Sequence, residues 1–76
     1  MKLKLTRHSQ DMISYRNIDI EHVKSAINNP DYKETAFEAR IRVRKKIGQK
    51  EIEVIYCREA FRDKYEEYLI ITAYYI

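Results

Sequence analysis

The sequence predicts an α+β protein in which two N-terminal helices pack on one face of a small antiparallel sheet. Helix-type spacing of apolar residues is confined to the first 30 positions, whereas polar and apolar residues alternate from Arg40 onward, as they do in strands. The chain of 76 residues, 45% of them hydrophobic, has room for one domain with a single core, residues 1–76. The predicted order of elements is β-α-α-β-β-β.

The first strand and the first helix follow directly from the N-terminal pattern. Lys2 to Leu5 alternates polar and apolar residues and predicts a short strand. A helix from about Arg7 to Arg16 follows, capped by Thr6 or, if it begins later, by Ser9. Asn17 ends this helix.

The second helix begins after Asp19, which is a suitable N-cap, and Glu21 in its first turn complements the helix dipole. Its buried stripe consists of Ile20, Val23 and Ile27. Pro30 disfavours helical geometry at the residue before it and ends the helix. Asp31 to Ala39 is predicted to be a loop that leads into the next strand.

A hairpin and a final strand complete the sheet. Gly48 and Gln49 form the turn between a strand that begins at Arg40 and a strand from Glu51 to Cys57. Arg58 to Tyr65 is a charged connection. Tyr68 to Ile76 is apolar on both faces, which predicts a strand inside the sheet rather than at its edge.

One face of the first hairpin strand is basic, and this face is a candidate phosphate-binding surface. The residues on it are Arg40, Arg42, Arg44 and Lys46. With a turn at Gly48 and Gln49, Arg44 lies opposite Glu53 and Lys46 lies opposite Glu51, as in ordinary cross-strand ion pairs. Arg42 then faces Ile55, and Arg40 faces Cys57, without a carboxylate partner. Arg42 is therefore the preferred free phosphate ligand, and Arg44 the preferred structural residue.

The charge is unevenly distributed along the chain. Residues 1–50 hold 12 Lys and Arg against 6 Asp and Glu, whereas residues 51–76 hold 3 against 6. A basic half can attract a polyanion such as RNA, and the alternative is ordinary solvated surface charge. The 36% of charged residues and the single glycine are typical of a heat-adapted source.

The first helix presents a candidate catalytic pair. His8, Met12 and Arg16 stand at i, i+4 and i+8, so they share one helical face. An imidazole and a guanidinium together provide a proton carrier and a fixed cation for a phosphate. The alternatives are a structural histidine and an arginine paired with Asp11 or Asp19, and His22 is interpreted as an exposed or capping residue.

Thr72 and Tyr74 share a face of the last strand, where their hydroxyls could reach a phosphate, although core packing is the competing interpretation.

Cys57 is the single cysteine, so we expect neither an intramolecular disulfide nor a metal site built on paired cysteines, and we expect no cofactor. The chain has no apolar run of membrane-spanning length and MKLKLTRHS does not resemble a signal peptide, so we expect a cytoplasmic protein.

These residues resemble a small domain-of-unknown-function family that is grouped with the RelE-like and BrnT-like toxins, within the barnase–EndoU–colicin–RelE group of ribonucleases. The resemblance rests on the pattern H-x3-M-x3-R-x-I, on a short helix that ends in N-P, and on later strands that match RIRVRKKIGQKEIEVIYC and LIITAYYI. The chain has Asn17 where the family commonly has glycine.

The resemblance implies a RelE-like fold and RNA cleavage without a metal, through attack of the 2′-hydroxyl. The residues that it carries over are His8, Arg16, Arg42 or Arg44, Thr72 and Tyr74. The leading hypothesis is therefore a toxin ribonuclease with His8, Arg16 and Arg42 as catalytic residues, RNA as substrate and a cognate antitoxin as partner. The rival hypotheses are a non-catalytic RNA- or protein-binding module with the same fold and an accessory protein of a virus or mobile element.

Overall fold

The computed structural model describes residues 2–59 and 67–76, except for the side chains of residues 58 and 59. The elements are β1 (Lys2–Leu5), α1 (Arg7–Tyr15), α2 (Ile20–Asn28), β2 (Tyr32–Thr35), a 3₁₀ turn (Phe37–Ala39), β3 (Arg40–Ile47), β4 (Lys50–Glu59) and β5 (Glu67–Tyr75). The predicted α+β class is confirmed, and the predicted order is matched with one additional strand, β2. Most of the predicted charged connection from Arg58 to Tyr65 lies outside the described residues.

Both helices begin where the sequence predicts. The Thr6 side chain accepts a hydrogen bond of 3.0 Å from the backbone N–H of Ser9, and the Asp19 side chain accepts one of 2.9 Å from that of Glu21. Asn17 adopts a left-handed conformation with φ of 58° and separates the two helices.

The strands form one sheet in the order β1-β5-β4-β3-β2. The predicted register of β3 against β4 is confirmed, with Arg44 opposite Glu53 and Arg42 opposite Ile55. Gly48 supplies the positive φ of 64° at the turn. The sheet is mixed, however, because β1 runs parallel to β5. Two strands that are joined by a tight turn must be antiparallel, but no tight turn joins β1 to β5. The sequence pattern therefore did not determine the direction of β1 relative to β5.

Strand β2 occupies the segment that was predicted to be a loop. It has only four residues, it is largely exposed, and it lacks an apolar alternation that could predict it. Pairing with β3 creates it. The backbone N–H of Asp31 donates to the backbone carbonyl of Arg44, and the Asp31 carboxylate accepts from the backbone N–H of Lys46 at 2.8 Å.

The core lies between the helices and one face of the sheet. Its buried residues are Ile13, Ile18, Val23, Ala26, Ile27, Val43, Ile52, Val54, Tyr56, Ile70 and Ala73. We call the opposite face the open face, and it carries Arg42, Arg44 and Glu53. In the described part of the chain, no helix is long and apolar enough to cross a membrane.

One side of β5 is only half covered by β1. The pairing of β1 with β5 ends at Ile70, and among the described strands none continues along that side of β5 toward Tyr75. We call this stretch, from Thr72 to Tyr75, the free edge of β5. Helix α1 packs against β5.

Candidate functional site

His8 and Met12 of α1 and its C-cap residue Arg16 form what we call the α1 row, of which Met12 and Arg16 contact the free edge of β5. The hydroxyl of Thr72 donates to the sulfur of Met12 at 3.2 Å, and Nη1 of Arg16 donates to the carbonyl of Ala73 at 3.1 Å. Ser9 and Ile13 are buried beneath the helix, so the α1 row lies at the side of α1 rather than in the core.

The α1 row opens onto a surface depression of about 420 Å³, lined by His8, Asp11, Met12, Tyr15 and Arg16. His8 is exposed, and Tyr15 is 92% exposed. An accessible imidazole and a guanidinium therefore face the same open space. Asp11 contributes a carboxylate to it.

Arg16 also lines a second cavity, of about 500 Å³, together with Ile18, Tyr74 and Tyr75. This cavity lies beside the end of β5 and the turn between the two helices. The guanidinium carbon of Arg16 is 5.9 Å from the centre of the Tyr74 ring, within the range of a cation–π contact. Arg16 is thus shared by the two cavities.

A carboxylate, Glu53, holds together the polar residues of the open face. It is only 2% exposed. Nε of Arg44 donates to its Oε1 at 2.7 Å, the hydroxyl of Tyr74 donates to its Oε2, and Nε of Arg42 is 3.8 Å from Oε1. We call Glu53, Arg44, Tyr74 and Arg42 the Glu53 cluster.

The pKa values in the Glu53 cluster follow from these contacts. Burial by itself raises the pKa of Glu53, but the hydrogen bonds from Tyr74 and Arg44 and the nearby arginine charges outweigh it and lower that pKa. The hydrogen bond to Glu53, together with burial, raises the pKa of Tyr74, and the same carboxylate raises the pKa of Arg44. Tyr74 therefore keeps its proton, and that proton is engaged by Glu53.

Arg42 is not the free cation that the sequence predicts. Its Nη1 donates to Oε1 of Glu34 at 2.9 Å, and the hydroxyl of Tyr32 donates to the other oxygen of Glu34 at 2.7 Å. The prediction was wrong because it lacked β2, which places Glu34 directly opposite Arg42. Arg40 likewise has a carboxylate, since its Nη2 is 3.8 Å from Oε2 of Glu38.

The predicted site residues therefore fall into two groups, with Arg40 in neither. His8 and Arg16 share a depression beside Thr72. Arg16 also contacts the ring of Tyr74, which belongs to the Glu53 cluster on the open face. Arg42 and Arg44 belong to that cluster and are neutralised there. Arg40 lies apart, at the start of β3, and contacts Glu38.

Sequence reasoning did not identify Tyr15 or the full role of Glu53, and it assigned His22 wrongly. For Tyr15, the sequence indicated only that the residue is next to Arg16. For Glu53, strand alternation indicated only a position opposite Arg44. His22 was interpreted as exposed or capping, but it is half-buried and its Nδ1 lies 2.8 Å from the hydroxyl of Tyr75. Fifty-three positions separate these two residues.

Comparisons of the chain with protein-family models, with curated proteins and with solved structures gave no match. The functional argument therefore depends on the residues and their geometry.

Proposed function

We propose that this protein is a toxin-type endoribonuclease that cleaves single-stranded RNA without a metal. The observation that supports this most directly is the depression in which exposed His8 and Arg16 face the same space. The resemblance of the α1 row to the RelE-like and BrnT-like families supports the same chemistry.

His8 provides the proton transfer in this mechanism and Arg16 the electrostatic stabilisation. The imidazole removes the proton of the ribose 2′-hydroxyl, whose oxygen attacks the neighbouring phosphorus. The guanidinium binds the phosphate oxygens, which gain negative charge in the transition state. Tyr15 offers an exposed aromatic ring in the same depression, on which an unpaired base can stack.

The arginines of β3 have a supporting role in this proposal. Glu34 and Glu53 already neutralise Arg42 and Arg44, which weakens their attraction for phosphate. Arg42 and Arg44 instead pair with Glu53 on the open face, and the same carboxylate holds the Tyr74 hydroxyl, beside Arg16. Arg16 thus takes the electrostatic role that the sequence assigned jointly to Arg16 and Arg42.

A toxin of this kind acts in the cytoplasm and is held inactive by a cognate antitoxin. We include both in the proposal on the strength of the family resemblance and the basic N-terminal half. A short antitoxin-like reading frame beside the gene would support this part of the proposal, and its absence would count against it.

The second candidate is a non-catalytic module that binds RNA or protein. The neutralisation of Arg42 and Arg44 favours it, because an open face occupied by internal ion pairs is typical of a structural surface. It predicts binding without strand cleavage.

Incubation with single-stranded RNA in excess EDTA decides between the two candidates. We expect fragments that end in a 2′,3′-cyclic phosphate, identified by mass spectrometry, because the attacking group is the neighbouring 2′-hydroxyl. DNA of the same sequence lacks that hydroxyl and should stay intact. Binding without cleavage would leave only the module, and cleavage abolished by EDTA would contradict the metal-independent mechanism.

Arg16 should matter more for RNA binding than Arg42. With a 2′-O-methyl oligonucleotide, which cannot be cleaved, Arg16→Ala should reduce the slope of log K against log salt by about 0.7, the value for one lost phosphate contact on a single strand. Arg42→Ala is the matched control and should change the slope less, because Glu34 already neutralises that guanidinium. Equal changes, measured by fluorescence anisotropy at several salt concentrations, would contradict this ranking.

A further inference from the structure

Tyr75 lies in a cluster of polar residues that the proposed mechanism has not used. Its hydroxyl oxygen accepts a hydrogen bond from the backbone N–H of Asp19 at 3.2 Å, and it is 2.8 Å from Nδ1 of His22. Nε2 of His22 lies 3.6 Å from Oδ2 of Asp19. The ammonium of Lys50 lies 4.9 Å from the centre of the Tyr75 ring.

These contacts are suited to a hydroxyl that gives up its proton. With protons on both ring nitrogens, His22 faces the Asp19 carboxylate through Nε2 and donates from Nδ1 to the Tyr75 oxygen, as the N–H of Asp19 also does. Both lone pairs of that oxygen are then engaged, and its own hydrogen is free to point elsewhere. The two donors lie at the Tyr75 oxygen, and the ammonium of Lys50 lies against its ring.

Tyr75 and His8 lie on cavities that share Arg16. Tyr75 lines the cavity of about 500 Å³ and His8 the depression of about 420 Å³. In-line displacement at phosphorus places the attacking and leaving oxygens on opposite sides of the phosphate. A phosphate bound to Arg16 therefore borders both the cavity that Tyr75 lines and the depression that His8 lines.

We propose that Tyr75 is the general acid of the cleavage reaction and that His22, backed by Asp19, is its positioning residue. This inference rests on the proposed ribonuclease function. His8 takes the proton of the 2′-hydroxyl as the 2′-oxygen forms its bond to phosphorus. The bond from phosphorus to the 5′-oxygen breaks, its electron pair goes to that oxygen, and the oxygen takes the proton of Tyr75. The Nδ1 proton of His22 then restores the tyrosine, and solvent returns both histidines to their starting states.

Tyr74, the neighbour of Tyr75 on the same cavity, is a poorer acid. Its hydroxyl already donates to Glu53, and that contact raises the pKa of Tyr74. Among the residues that the structure describes, the charged and titratable groups around Tyr75 are His22 and Asp19 at the start of α2, Lys50 on β4, and Arg16 on the same cavity.

The test uses two substrates that differ in one leaving atom. Each is a DNA oligonucleotide with a single ribose, followed by either an ordinary linkage or one in which sulfur replaces the bridging 5′-oxygen. A thiolate leaves without protonation, so loss of a general acid should affect only the oxygen substrate. Tyr75→Phe should lower the single-turnover rate on the oxygen substrate at least about tenfold and leave the rate on the sulfur substrate nearly unchanged.

Two further variants make the test specific. Tyr32→Phe removes a hydroxyl at the opposite edge of the sheet and should leave both rates unchanged. His22→Gln keeps a donor for Tyr75, so it should lower the oxygen rate less than Tyr75→Phe does. It should also leave the rate on the sulfur substrate unchanged, a selectivity that a merely structural role would not produce.

The outcomes separate this inference from the function on which it rests. Equal rate losses on the two substrates in Tyr75→Phe would overturn the acid role and leave the ribonuclease intact. Failure of the unmodified protein to cleave either substrate would overturn both. A selective loss on the oxygen substrate, with an unchanged melting temperature, would establish Tyr75 as the acid.

Discussion

Replacing His8 with alanine is expected to lower the rate of RNA cleavage by roughly 100-fold or more, the usual effect of losing a general acid or base. In the proposed mechanism the phosphate contact belongs to Arg16 and the stacking surface to Tyr15, so binding of RNA should be nearly unchanged. The fold should also be unaffected, since His8 is exposed and contributes nothing to the described core. Single-turnover cleavage and fluorescence anisotropy measure the two quantities separately.

Two comparisons test whether the loss of cleavage rate is due to the missing imidazole. Gln10→Ala changes another exposed residue of α1 and should retain the full rate. Added imidazole should restore part of the activity of His8→Ala, because the depression is open and a small base can enter it. A His8→Ala protein that cleaves RNA at the original rate would remove His8 from the mechanism, whatever the origin of the cleavage.

The features that the sequence predicted correctly are local ones. Thr6 and Asp19 act on backbone groups two or three positions away, so the chain near each cap contains all the information needed. The register of β3 against β4 follows from the turn at Gly48 and from strict alternation, since both strands are anchored by that turn.

The errors have a common cause in contacts between distant segments. Strand β2 has no signal of its own and forms only because β3 provides a pairing edge, and the missing strand hid the Glu34 partner of Arg42. The contacts of the α1 row with β5 join residues 57 and 60 positions apart. Helical spacing placed His8 near Arg16, but it contained no information about which strand edge the pair would reach.

The Glu53 cluster leads to the second large expected effect, on stability. Glu53→Ala should lower the free energy of unfolding by about 2–3 kcal/mol, because it removes hydrogen bonds to a charged group and leaves Arg42 and Arg44 without that carboxylate. Both arginines remain partly exposed, at 38% and 43%, so water limits the penalty. For a domain of this size, the corresponding decrease in melting temperature is about 10 °C or more.

Glu51→Ala is the matched control for this measurement. Glu51 lies on the same strand two residues earlier and faces Lys46, but it is more exposed than Glu53. Its loss should cost within about 0.5 kcal/mol, as is usual for a surface position. Urea unfolding of the two variants should therefore give clearly different midpoints, and similar midpoints would show that the Glu53 cluster does not stabilise the fold.

The contribution of Glu53 to stability should also depend on pH in a definite direction. Its pKa is lowered in the folded protein from an ordinary value of 4.5, so the stabilisation is complete well above that value and is lost as the pH falls through the folded pKa. The difference in stability between the unmodified protein and Glu53→Gln should thus be constant near neutral pH and shrink below about pH 4.5. Other carboxylates titrate in both proteins and largely cancel in this difference. A difference that instead grows as the pH falls would mean that the pKa of Glu53 is raised by its burial, and that Tyr74 and Arg44 do not hold the carboxylate in its ionised form.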